Sequence, residues 1–113
     1  MEHLDEGVVV LDFDGERVEL QPTPAAMTRI DREFDGFAAA AQALDRASPT
    51  AMAAVVAAGA GARGREEKRL RELVVRPGFM RHYEAVVRYV TYLARGGYEE
   101  PAEAGGGADE GEG

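Results

Sequence analysis

Gly7-Val8-Val9-Val10-Leu11-Asp12-Phe13-Asp14-Gly15-Glu16-Arg17-Val18-Glu19-Leu20, residues 7–20, decides the fold. Two β-prone runs flank Asp14-Gly15, and an Asp-Gly pair suits a two-residue type I′ turn because both central positions need positive φ. Taking that pair as the turn sets the register. Phe13 then faces Glu16, Asp12 faces Arg17, Leu11 faces Val18 and Val9 faces Leu20. Alternation puts Val9, Leu11, Phe13, Val18 and Leu20 on one face and pairs Asp12 with Arg17 on the other. A lone hairpin is marginal in water, so its apolar face requires a support.

That support is predicted to be helical. Gln21-Pro22-Thr23-Pro24 ends the second strand, and Thr23-Pro24 supplies an N-cap followed by proline at the first helical position. The spacing of Met27, Ile30 and Phe34 predicts a helix over 24–35 closed by Gly36. Phe37, Ala41 and Leu44 predict a second over 37–46. Ser48-Pro49 repeats the cap signal and opens a third over 49–60, where Met52, Val55 and Val56 stand among alanines that let a neighbouring backbone come close. Gly59-Ala60-Gly61-Ala62-Arg63-Gly64 reads as a loop. Arg65–Arg76 follows as a charged amphipathic helix with Leu70, Leu73 and Val74 on one side, and Pro77-Gly78 interrupts it. A last helix over 79–95 presents Phe79, Tyr83, Val86, Val87, Val90 and Leu93, with Gly96-Gly97 as its C-cap. The expected class is α+β: a two-stranded hairpin packed on four to five short α-helices, one domain over 1–97. From Tyr98 on, Gly, Glu, Ala and Asp dominate, a composition that predicts a disordered acidic tail over 98–113.

At 113 residues the chain suits one small domain. Hydrophobic residues make up 45 %, but 20 of them are alanine, so the core is thin and local helix packing or a partner must complete it. The lack of cysteine excludes disulfide frameworks, thiolate metal sites and cysteine nucleophiles. His3 and His82 are too few and too far apart for a zinc site, and neither a metal nor a cofactor is expected. The longest apolar stretch is alanine-rich and far short of the roughly 20 residues of a membrane span. Met1-Glu2-His3-Leu4-Asp5-Glu6 is acidic where a secretory signal is basic, so a cytoplasmic location is expected.

The net charge of −8 is unevenly spread. Residues 1–20 hold seven acids against Arg17 alone, and residues 99–113 hold six acids and no base. The middle, 21–98, holds eight acids and twelve bases. Phosphate is repelled by both ends, which argues against nucleic acid as a partner of the whole chain. Arg63–Arg71 carries five bases and two acids, but Glu67 and Arg71 stand at the spacing of an intrahelical pair and no aromatic residue is near, which describes a solvated helix face.

Other motifs have ordinary explanations. Gly59–Gly64 matches G-x-G-x-x-G, yet a helical segment precedes it where a dinucleotide site needs a strand, so it is a linker. Asp12 and Asp14 serve the hairpin, while Asp31, Glu33 and Asp35 alternate and diverge. Ser48, the sole serine, is a cap. His82, Tyr83 and Glu84 are helical neighbours that do not face one another. No nucleophile–base–orienter set assembles, and no enzymatic activity is expected. Tyr89 and Tyr92 lie beside the apolar stripe, which predicts a partly exposed patch. With Arg81 and Arg88 they are the candidate partner-binding residues, since interfaces favour aromatic side chains and arginine. Replacing both tyrosines by alanine is therefore expected to weaken partner binding and leave the monomer folded.

The order of elements also resembles a known family. The hairpin ending in Leu20-Gln21-Pro22-Thr23, the helix with Ile30-Asp31, and Ser48-Pro49-Thr50-Ala51-Met52-Ala53-Ala54-Val55-Val56-Ala57-Ala58-Gly59 look like the small tail proteins of gene transfer agents, which are similar to the tail assembly chaperones of long-tailed phages. The resemblance covers roughly residues 7–95. The Arg-rich segment 61–69 and the Gly-Asp-Glu tail depart from it. It implies a non-enzymatic role in particle assembly, with the tape-measure protein and the tail-tube protein as partners; self-association stays open. A structural tail subunit retained in the particle, and a small nucleic-acid-binding regulator using Arg63–Arg76, are the alternatives.

Overall fold

A computed structural model of the chain describes residues 7–96. Strands β1 (Val9–Phe13) and β2 (Glu16–Leu20) form a two-stranded antiparallel sheet in the expected register, Phe13 opposite Glu16 and Val9 opposite Leu20. Asp14 (φ 56°) and Gly15 (φ 98°) supply the two positive φ angles of the turn. The Gly15 N–H donates to Asp12 Oδ1 at 2.6 Å. Asp12 lies opposite Arg17 as expected, but its carboxylate braces the turn and Arg17 leans to Glu19 at 3.9 Å. A short carboxylate meets the turn amide before it can reach across the ladder.

Among the described residues five α-helices follow: α1 (Pro24–Phe34), α2 (Phe37–Asp45), α3 (Pro49–Ala60), α4 (Gly64–Val74) and α5 (Tyr83–Ala94), the last preceded by a 3₁₀ turn over Phe79–His82. Thr23 Oγ1 accepts the Ala26 N–H at 3.0 Å and Ser48 Oγ accepts the Ala51 N–H at 3.1 Å, so both cap-then-proline signals open helices. Asp35, in the left-handed region at φ 60°, ends α1, and Gly36 is the N-cap of α2 rather than the stop of α1. Gly59 lies inside α3; the left-handed stop is Gly61. The helix expected over 79–95 is split, because Gly78 (φ 90°) leads the chain in as a tight turn whose Arg81 N–H bonds the Gly78 carbonyl at 3.0 Å.

Helix α3 is the hub. Every residue from Ala51 to Gly59 is buried, a helix apolar all round as an element enclosed on all sides must be. Hairpin residues Leu11, Phe13, Val18 and Leu20 share one core with Ile30, Met52, Val56, Leu73, Val86 and Leu93. Each fully buried side chain of this size contributes about 1.5–3 kcal/mol relative to exposure. On α2 the inward face is Ala40 and Leu44, while Ala41, expected on the core stripe, is exposed.

Gly59 marks a close approach in the core. A Cβ there would sit 3.0 Å from both the Leu20 Cβ and the Tyr89 hydroxyl. The missing side chain lets the Gln21 N–H donate to the Gly59 carbonyl at 2.9 Å, and the Tyr89 hydroxyl donates to the Gln21 carbonyl at 2.5 Å. One end of the hairpin is thus tied to α3 and α5 together. Among the described residues no helix is long and apolar enough to cross a membrane. The acidic tail expected over 98–113 lies outside the described residues.

Candidate protein-interaction site

The four residues singled out for partner binding do not form one surface. Arg81 and Arg88 are exposed, but Tyr89 is fully buried and Tyr92 is only 7 % exposed. The Tyr92 ring packs so closely on Gly7 that a Cβ at position 7 would collide with it. Arg81 sits near the hairpin turn, 3.8 Å from Asp14. The expected partly exposed tyrosine patch is corrected: both rings belong to the core. Apolar residues occur around much of α5: Val86, Tyr89, Val90, Tyr92 and Leu93 are buried, while Tyr83 and Val87 are half-buried and pack at the margin of the core. Burial also pushes the Tyr89 phenol well above its ordinary titration range.

What α5 does present is a groove shared with α2. Its volume is about 350 Å³. Leu44 and Val90 lie at its base, half-buried Tyr83 and Val87 line the α5 side, and exposed Ala41 lines the α2 side. Gln42, Asp45 and Thr91 supply its polar contacts. Its origin is local. The run Phe37-Ala38-Ala39-Ala40-Ala41-Gln42-Ala43 gives α2 a low surface, while the facing positions of α5 carry larger side chains. Asp45 has no ion-pair partner among the described residues. The groove can therefore accept an apolar ridge with a cation or N–H donor at one edge.

The charged face of the molecule is organised differently. Arg69 holds Glu16 of β2 at 2.5 Å and Glu66 at 2.7 Å, while Arg71 holds Glu67 at 2.8 Å and Glu33 of α1 at 3.6 Å. The Arg69 hydrogen bonds hold the Glu16 and Glu66 carboxyls below the usual range. Arg29 bonds the Ala62 carbonyl at 2.7 Å and approaches Glu67 at 3.4 Å. These pairs lie at the surface or only partly buried and contribute little each, but they engage two bases of the segment offered for nucleic acid. Arg63, Arg65 and Lys68 have no carboxylate partner among the described residues.

The His82 ring packs at a tilt against Phe13, ring centroids 4.3 Å apart. Burial, with Arg81 beside it, lowers its pKa and favours the neutral ring. Among the described residues no group of His, Asp and Glu side chains is placed to hold a metal ion. Comparison with protein-family models, with curated proteins and with solved structures gives no match to this chain.

The sequence could have signalled the groove. A block of small residues on one helix, beside a helix whose apolar stripe is too broad for a single contact, marks a surface that a neighbour leaves unfilled. Ala38–Ala41 and the extra apolar positions Tyr83 and Val87 carry that signal.

Proposed function

We propose that this chain is a non-enzymatic, cytoplasmic tail assembly chaperone, which receives an apolar helical ridge of a tape-measure protein in the α2/α5 groove and assists tail-tube assembly around it. The groove is the observation that supports this reading: an apolar concavity between two helices suits an amphipathic client helix, whose anchors recur at i, i+3 or i+4 and i+7. The hairpin-then-helices order of the resembled family agrees with it. The client's chemistry follows from the walls, with aliphatic anchors over Leu44 and Val90 and a basic residue toward Asp45.

Ala41→Arg tests the reading. Position 41 is exposed on α2 and arginine is a good helix former, so the fold is retained while the groove is blocked. Co-purification with the tape-measure protein should fall at least about tenfold, a change of 1.4 kcal/mol, with an unchanged circular dichroism spectrum. Undiminished capture by the folded variant contradicts the assignment.

A further inference from the structure

The two edges of the hairpin are not equivalent. In a two-residue hairpin the residues flanking the turn form a hydrogen-bonded pair, and pairs alternate from there. Phe13, Leu11 and Val9 therefore direct their backbone groups to β2, whereas those of Asp12, Val10 and Val8 point to the outer edge of β1. The corresponding outer edge of β2 is tied at its end, where the Gln21 N–H and carbonyl are taken by Gly59 and Tyr89. It is also flanked by the charged side chains of Arg17 and Glu19. No backbone bond leaves the outer edge of β1 among the described residues.

Folded proteins protect such an edge with lysine, proline, a bulge or a cover. Over Val8-Val9-Val10-Leu11 there is no lysine or proline and the register is free of a bulge, among the described residues no backbone group pairs with this edge, and the only charge on β1 is Asp12 at one end. Val10 is one of three large apolar side chains left exposed among the described residues, at 36 %.

We propose that two copies of this chain pair edge to edge through β1, making one antiparallel four-stranded sheet in the order β2-β1-β1-β2. The strand is self-complementary in that arrangement. A two-fold axis at Val10 places Val10 against Val10 of the second copy and Asp12 against Val8 of the second copy, so the two aspartates never meet. All three outward residues then exchange backbone bonds, about six in total for a ladder of three hydrogen-bonded pairs. Both exposed Val10 side chains are covered by the same contact. A client strand would find the same backbone groups, but only a second copy brings this pairing of Val10 with itself. The interface is small, so the association belongs to the weak, concentration-dependent class.

Sedimentation equilibrium on the full chain, up to about 1 mM, tests the proposal. The apparent mass should rise from 12.1 kDa toward twice that value with concentration. Val10→Pro removes an N–H that β2 does not use, and Val10→Lys sets two like charges face to face across the axis. Both should associate at least about tenfold more weakly; the lysine variant, altered only at an exposed side chain, serves if the proline variant fails to fold. Amide exchange at Val8, Val10 and Asp12 should slow as concentration rises. A wild type that stays monomeric to the highest concentration, a folded variant that associates as strongly as the wild type, or protection of those amides that is independent of dilution overturns the proposal. The last outcome would mean that the chain covers its own edge.

Discussion

Tyr89 is where the hairpin, α3 and α5 meet, and its substitution has two separable consequences. Tyr89→Phe deletes one hydrogen bond in a site with no solvent access. The Gln21 carbonyl is not orphaned, because it also accepts the Thr23 N–H at 2.9 Å. The loss is then that of one ordinary net hydrogen bond, about 1 kcal/mol, which lowers Tm by about 4–8 °C in a domain of this size. Tyr89→Ala removes the ring as well. Truncating a buried aromatic costs about 3–5 kcal/mol through lost burial and a residual cavity, against a total stability of about 5–15 kcal/mol. With a urea m-value of about 1–3 kcal/mol/M, the phenylalanine variant should shift the midpoint down by about 0.3–1 M and the alanine variant by at least about 1 M. Adding Tyr92→Ala should bring the loss to about 6–10 kcal/mol, so the double alanine variant, expected from sequence to stay folded, instead loses much or all of its stability. Urea titration by circular dichroism measures all three. An alanine variant whose midpoint lies within about 0.3 M of wild type would refute the placement of Tyr89 in the core.

Gly59→Ala should destabilise by roughly 1 kcal/mol: the helix-propensity gain of about 1 kcal/mol is outweighed by overpacking of about 1–3 kcal/mol, since the new methyl would meet Leu20 and Tyr89 at 3.0 Å. Thermal unfolding checks the sign, and a raised Tm contradicts the close approach. Stability should also fall at alkaline pH through Tyr89. Its folded phenol titrates above the unfolded value of about 10, so the contribution is whole below that pH and declines above it by up to about 1.4 kcal/mol per pH unit. Urea midpoints between pH 9 and 11 should fall more steeply in wild type than in Tyr89→Phe; parallel slopes contradict the assignment.

The local signals were legible because each has a local cause. Asp14-Gly15 determines a turn and thereby a register, and Thr23-Pro24 and Ser48-Pro49 each carry an oxygen that meets an amide three residues on. The inward stripe of α5 was legible at Val86, Val90 and Leu93, but the burial of Tyr89 and Tyr92 was not. Apolar side chains on α5 occupy more than one stripe, and periodicity alone cannot say how far round the helix the core will reach. That reach is set by long-range packing, chiefly the fit of Tyr89 beside Gly59. Asp12 shows the same limit on a smaller scale, since its cross-strand neighbour was correctly placed but the nearer turn amide took its carboxylate. The α2/α5 groove is a property of two helices together, and its signal in the sequence was split between the small residues Ala38–Ala41 and the extra apolar positions Tyr83 and Val87.

Among the charged residues, position in the fold matters more than local count. The segment Arg63–Arg76 is rich in bases, yet Arg69 and Arg71 reach acids on β2, α1 and their own helix. The groove lies on a different pair of helices and is lined mainly by uncharged side chains. A client bound by apolar complementarity and one bound by phosphate charge would therefore touch different elements.

That difference makes amide chemical-shift mapping of the labelled protein, titrated with the tape-measure protein, the most direct test. Binding in the groove should move the resonances of Ala41, Gln42, Leu44, Asp45, Val87 and Thr91 while leaving Arg63, Arg65 and Lys68 in place, with little dependence on salt. Shifts confined to the α4 arginines, or no shifts at all, would contradict it.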